Sequence, residues 1–207
     1  MLYRETGQPL TEVFERATPQ TDTTEEGTTP TQPFSTGMPS FARERLTEAD
    51  MWGITPFDHM ACRTEFKKLR YEGTLTPPST QGTLYYPGIA GGMNWGSIAV
   101  DEVNQLMVVN ILHMPFVVRL IPRDEVRDDE VFGLGGHQTG TPYAVYSFPF
   151  LSPIFAPCLR PPFGEMAVVD LALQKTIWHL PLGTSADTGT LRIQSQCQVP
   201  TGMVKTA

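Results

Sequence analysis

The chain has 207 residues, 40% of them hydrophobic and 18% charged, with 19 prolines and 18 glycines, more of both than an ordinary domain carries. The formal net charge is −7 and the longest basic run is Lys67-Lys68, so the clustered cations that a phosphate backbone requires are absent and nucleic-acid binding is excluded. No apolar run approaches the roughly 18 residues that span a bilayer, and the first residues have neither the apolar core nor the small-residue cleavage site of a signal peptide.

In chain order, residues 1–16 read as a trailing strand and turn. Residues 17–46 begin with a Thr-, Pro-, Glu- and Gly-rich stretch, which buries too little apolar surface to fold alone, and read as a polar loop or linker. A short helix is expected after Thr47. A longer one is expected over 56–69: Thr55 suits the cap, Pro56 the first position, Asp58 the first turn, and Lys67 and Lys68 the last. Its apolar face would be Phe57, Met60, Ala61 and Phe66. From residue 82 the pattern becomes β, with strands expected at 83–86, 95–101, 105–112, 116–121, 143–148, 165–170 and 175–180. Residues 101–105 and 170–174 read as hairpin tips. Residues 96–106 and 164–174 resemble each other, a faint repeat whose long period a 122–142 insertion would explain. Antiparallel hairpins without βαβ alternation favour a sandwich or a propeller.

The single residues are less eloquent. Cys62, Cys158 and Cys197 have no metal-ligand spacing. Cys62 and Cys158 can pair in an oxidising compartment or stand as two buried thiols, and Cys197 has no assigned role. His59, His113, His137 and His179 show no metal spacing, and none is taken as catalytic. Arg119 and Arg123 read as a solvated rim.

Several motifs recur in a fixed order: Thr29-Pro-Thr-Gln-Pro-Phe-Ser35, Tyr71-Glu-Gly73, Thr76-Pro-Pro78, Gln81-Gly-Thr-Leu84, Tyr86-Pro-Gly88, Trp95-Gly96, Pro115-Phe116, Leu120-Ile-Pro-Arg123 and Phe150-Leu-Ser-Pro153. Together, over 1–183, they resemble the membrane-bound quinoprotein dehydrogenases of the glucose/quinate/shikimate type, which use pyrroloquinoline quinone (PQQ). The stretch 168–178 resembles the family's tryptophan-docking motif, with Val168, Leu173 and Gln174 where the family has Ala, Thr and Gly. Trp178 would then wedge between blades as a structural residue.

The resemblance implies an all-β fold: a partial eight-bladed β-propeller of about two blades over 47–183, with one or two short helices and long loops. It implies PQQ over a central channel and a Ca²⁺ or Mg²⁺ ion polarising the quinone. It further implies oxidation of glucose, or of a related polyol such as quinate or shikimate, with electrons passed to ubiquinone on the periplasmic side of the inner membrane. Asn110, in Met107-Val-Val-Asn110, matches the family's PQQ-contacting Asn, and Trp95 is a second candidate cofactor contact. The family's catalytic Asp, its cofactor-binding Lys and its metal ligands have no counterpart here. The expected catalytic set of this chain is therefore empty, and the remaining blades are its expected partner. Asp50, Asp58, Asp101 and Asp170 read as helix-start and turn residues. Residues 184–207 depart from the family pattern and read as a divergent tail. The other expectation is a non-catalytic propeller piece acting as a structural or binding subunit.

Overall fold

The computed structural model describes residues 2–23, 27–94, 98–127 and 135–182. Among the described residues nine strands and one α-helix follow in order: β1 (Val13–Ala17), β2 (Thr31–Ser35), α1 (Pro56–Lys68), β3 (Thr83–Tyr85), β4 (Ile98–Asp101), β5 (Leu106–Leu112), β6 (Phe116–Pro122), β7 (Tyr143–Pro149), β8 (Gly164–Asp170) and β9 (Lys175–Pro181). Every paired strand is antiparallel, in sheets ordered β1-β2, β3-β6-β7 and β4-β5-β8-β9.

The β1–β2 hairpin occupies part of the stretch read as a polar loop. Its registers set Phe14 opposite Phe34, with ring centroids 6.5 Å apart, and the Arg16 guanidinium lies 5.1 Å from the Phe34 ring centre. Such cross-strand pairs stabilise a ribbon without burying it. The sequence hides the ribbon because Glu15, Arg16, Gln32 and Pro33 break the apolar alternation. Beyond it, Thr18 and Gln20 bind the Thr29 carbonyl and close the loop on itself.

Helix α1 starts where its capping residues place it. Thr55 Oγ1 accepts the Asp58 amide at 3.1 Å, and Pro56 opens the first turn. A 3₁₀ turn, Glu48–Asp50, precedes the helix, and Lys67 and Arg63 both reach Glu48. The buried face differs from the expected one. Phe57 and Met60 point outward, 81% and 62% exposed, while Cys62 is fully buried. The cause is a Cys62–Cys158 disulfide, which turns that side of the helix toward the loop 150–163. Around it lies the larger core: Leu46, Met51, Leu84, Tyr86, Phe150 and Leu159. Gly53 abuts the helix so closely that a Cβ there would stand 2.2 Å from the His59 amide nitrogen.

Strand β5 runs through His113, Met114 and Pro115 into β6, and β7 returns through the loop 150–163 into β8. The β5–β8 ladder (Leu106↔Asp170 to Leu112↔Gly164) and the β6–β7 ladder (Phe116↔Pro149 to Pro122↔Tyr143) are thus two halves of one long hairpin. This revises the reading of the repeat. Its two copies are the β4–β5 and β8–β9 hairpins of one four-stranded sheet, and the insertion between them is longer than 122–142 and includes the whole β6–β7 arm. The tips share a turn. Asp101 and Asp170 each accept an amide three residues on, and Gln105 and Gln174 take φ of 54° and 55°. The family's Gly at the second of these positions suits that left-handed backbone; here Gln174 adopts it.

Alternation along the strands divides the four-stranded sheet into two faces. Met107, Val109, Ile111 and Ala167 form one and pack under Phe41 as a second core. Val108, Asn110, Leu112, Met166 and Val168 form the other, which is half-buried. On the edge strand β9, Trp178 lies opposite Val168 and is 43% exposed.

Candidate functional site

Asn110 sits in the middle of β5, its backbone paired with Met166 and its side chain on the half-buried face. Its carboxamide makes no hydrogen bond among the described residues. The carboxamide is not sealed in the core, so its donor and its acceptor reach the surface of an otherwise apolar strand and stand open to a bound molecule. Trp95, the other candidate, lies outside the described residues, as does the tail 184–207. The four aspartates have local tasks. Asp50 Oδ2 accepts the Thr47 amide at 2.8 Å, and its other oxygen pairs with Arg160 at 2.9 Å. Asp58 Oδ2 accepts the Ile54 amide at 3.0 Å. Asp101 and Asp170 set the two hairpin tips. No group of three or more His, Cys, Asp or Glu among the described residues is placed to hold a metal.

On the opposite face the fold assembles a network that the sequence did not disclose. Tyr86 comes from the segment after β3, His113 from the β5–β6 joint, Glu165 from β8 and His179 from β9. The Tyr86 hydroxyl lies 2.8 Å from His113 Nδ1, His113 Nε2 lies 2.6 Å from Glu165 Oε2, and His179 Nε2 lies 3.1 Å from Glu165 Oε1. His113 is 3% exposed and the Tyr86 ring stacks on it. Burial pushes the Tyr86 hydroxyl up to about 12, against a smaller downward pull from Arg43. The two ring nitrogens of His113 are thus both engaged, Nδ1 by the Tyr86 hydroxyl and Nε2 by the Glu165 carboxylate, to which Nε2–H donates. The network therefore ties the joint between the two larger sheets. Glu165 is 52 residues from His113 in sequence, and no local pattern marks the pair.

Comparisons of the sequence with known proteins agree on one family. The family profile of the glucose/ethanol/alcohol dehydrogenase β-propeller domain that carries PQQ matches residues 1–207. The chain is 41% identical to a probable quinate dehydrogenase (quinone) of Xanthomonas campestris pv. juglandis, over 98% of this chain and 27% of the relative. It is 40% identical to the quinate/shikimate dehydrogenase (quinone) of Acinetobacter baylyi, over 98% of this chain and 26% of the relative. It is 41% identical to quinoprotein glucose dehydrogenase A of Acinetobacter calcoaceticus, over 90% of this chain and 24% of the relative. No solved structure matches the chain significantly. The chain spans about a quarter of the length of these curated relatives. With its antiparallel sheets and its profile match along the full length, it belongs to the PQQ dehydrogenase β-propeller family.

Proposed function

We propose that the chain supplies one wall of a PQQ site in a quinone-reducing dehydrogenase for a cyclic polyol of the quinate/shikimate or glucose class. The observation that carries this is Asn110: a carboxamide without a partner among the described residues, at the position where the family resemblance expects a cofactor contact. When bound, PQQ supplies the ortho-quinone that takes two electrons from the substrate carbinol. Asn110 would donate its N–H to a cofactor oxygen and orient it, while Val108 and Met166 exclude water beside it. The metal, Ca²⁺ or Mg²⁺ by family, and the base that takes the carbinol proton would come from the rest of the relatives' length. In this reading the sheet β4-β5-β8-β9 is one blade of an eight-bladed ring, β6–β7 with β3 is an outgrowth of that blade, and the N-terminal stretch through 16 trails from the preceding one. The half-exposed Trp178 would dock on the following blade. The longer matches, those covering 98% of the chain, are to the quinate relatives, which favours that substrate class over glucose. The disulfide fits an oxidising compartment such as the periplasm, and ubiquinone is the acceptor the family implies.

The test is PQQ affinity in the assembled dehydrogenase that contains this chain. Asn110→Ala should weaken PQQ about tenfold, the loss of one good hydrogen bond to a charged or strongly polar group, with the thermal midpoint of the apo form held. Unchanged affinity would reject the contact and leave the non-catalytic structural or binding module as the better account.

A further inference from the structure

The outer face of the three-stranded sheet carries a groove of about 370 Å³, within the range of small-ligand sites. Val117 and Ile121 of β6 form its floor, Leu69 closes one side at the end of α1, and Tyr146 of β7 closes the other. Gly82 keeps the floor open: a Cβ there would come within 3.3 Å of Leu69 Cδ2 and 3.9 Å of Val117 Cγ1.

One cation stands in this apolar slot. Arg119 lies between Val117 and Ile121 on the same face of β6 and directly opposite Tyr146. Its Nε donates to the Thr80 carbonyl at 3.2 Å, which fixes the guanidinium plane. Its two Nη atoms have neither a hydrogen bond nor an ion pair among the described residues. Arg63, Arg70 and Arg160 each pair with a carboxylate instead. Beside Arg119, Gln81 spends its amide N–H on the Lys68 carbonyl at 2.8 Å and keeps its oxygen as an acceptor.

We propose that this groove binds a small ring-bearing monocarboxylate. The pre-oriented fork of Arg119 takes the carboxylate through two parallel N–H donors, and the ring lies between Leu69 and the Tyr146 face. An inorganic anion gains the fork but leaves the slot empty, and an uncharged ring fills the slot but leaves the fork unpaired. The chain as a whole is acidic, so general attraction does not concentrate anions on it, and selectivity has to come from the slot. The site is separate from Asn110, which lies in the other sheet, and it stands whether or not PQQ binds there.

The experiment titrates benzoate onto the full chain and follows saturation-transfer NMR signals of the ligand. Benzamide serves as the uncharged isostere and sulfate as the competitor. Saturable benzoate binding is expected, with benzamide roughly tenfold weaker or worse, because a charge-assisted bidentate contact is lost. Arg119→Gln should lose affinity by a similar factor, and Arg119→Lys should fall between, since the point charge remains without the fork. Arg119 is exposed, so an unchanged thermal midpoint checks the fold of both variants; if a variant does not fold, the benzoate–benzamide comparison on the unaltered chain decides. Absence of saturable binding, equal binding of benzamide, full binding by Arg119→Gln, or displacement by sulfate at matched concentration would each overturn the proposal.

Discussion

Asn110 and Glu165 stand 55 positions apart in the chain and one residue apart in register: Asn110 faces Met166 and Ile111 faces Glu165. They illustrate two kinds of polar residue on an apolar sheet. Among the described residues Asn110 has no partner, while Glu165 has two imidazoles. Glu165→Ala should therefore cost about 1–3 kcal/mol in urea unfolding, because it strands the buried His113 N–H, and Glu165→Gln, which can still accept, should cost less. Equal costs for the two variants would show that the carboxylate does not hold His113. Tyr86 carries a pH consequence. Its hydroxyl is raised in the folded state from 10.0 to about 12, so its contribution is complete below pH 10 and is lost as pH rises toward 12. Tyr86→Phe should flatten the alkaline limb of stability over that interval, read by unfolding at stepped pH. At the acid end the sign reverses. The Asn104 side chain, then its amide, hold Asp101 below its ordinary value, and Lys67 and Arg63 do the same for Glu48. Their contributions are present above pH 3.8 and 4.5, respectively, and are lost as the pH falls through the lowered values. Asp101 is exposed and Glu48 lies at the surface, partly covered by Arg63 and Lys67, so the acid limb should be shallow and should weaken further in salt. Residue types announced the turn aspartates, since Asp sets turns by accepting nearby amides. They did not announce the His113–Glu165 pair, which forms only when β5 and β8 align.

Among the elements, the strands from 83 onward and the helix at 56 were legible because their signals are local: β-rich runs bounded by turn residues, and a cap followed by Pro at the first helical position. The β1–β2 hairpin was not, since its stability rests on Phe14 meeting Phe34 across a ribbon with no buried face. The expected face of α1 holds only in part, with Phe66 on the core and Phe57 and Met60 in solvent, for a related reason. Composition alone makes Phe57 and Met60 better core residues than Cys62, but a covalent bond to Cys158 outranks that preference. Cys62→Ser with Cys158→Ser should lower stability by about 2–5 kcal/mol, the range for a bridge closing a long loop. It should also loosen α1 first, seen as faster amide exchange at Ala61 and Phe66 than in β5. Uniform loss of protection across both sheets would show that the bridge does not act on the helix locally. Gly53→Ala tests the same packing from the other side. With the His59 amide 2.2 Å from the added carbon, the loop must shift, and a drop of more than about 1 kcal/mol is expected; a neutral result would mean the loop yields freely.

For the molecule as a whole, the described sheets expose edges and an apolar face that a closed ring would cover. Leu180 and Ile177 stand beside Trp178 on β9, and Ile98 and Val100 lie on the opposite edge strand β4. Unpaired edges and contiguous apolar surface favour association. The 207-residue chain supplied with PQQ and Ca²⁺ should show no turnover of quinate, shikimate or glucose in a dye-linked assay, because the resemblance places the base, the Lys and the metal ligands elsewhere in the relatives' length. Robust turnover would refute the division of labour proposed above. By itself the sequence determined the family, the antiparallel β class, the turn chemistry at the two hairpin tips and the position of α1, all of which rest on neighbouring residues or on ordered motifs. Only the tertiary structure decided that the two similar hairpins share one sheet, that Cys62 and Cys158 are joined, that Asn110 has no partner among the described residues while His113 is held by Tyr86 and Glu165, and that the solvent-exposed Arg119 lines a groove. Those facts depend on which distant segments meet, and segment spacing in a chain carries no record of register across a sheet.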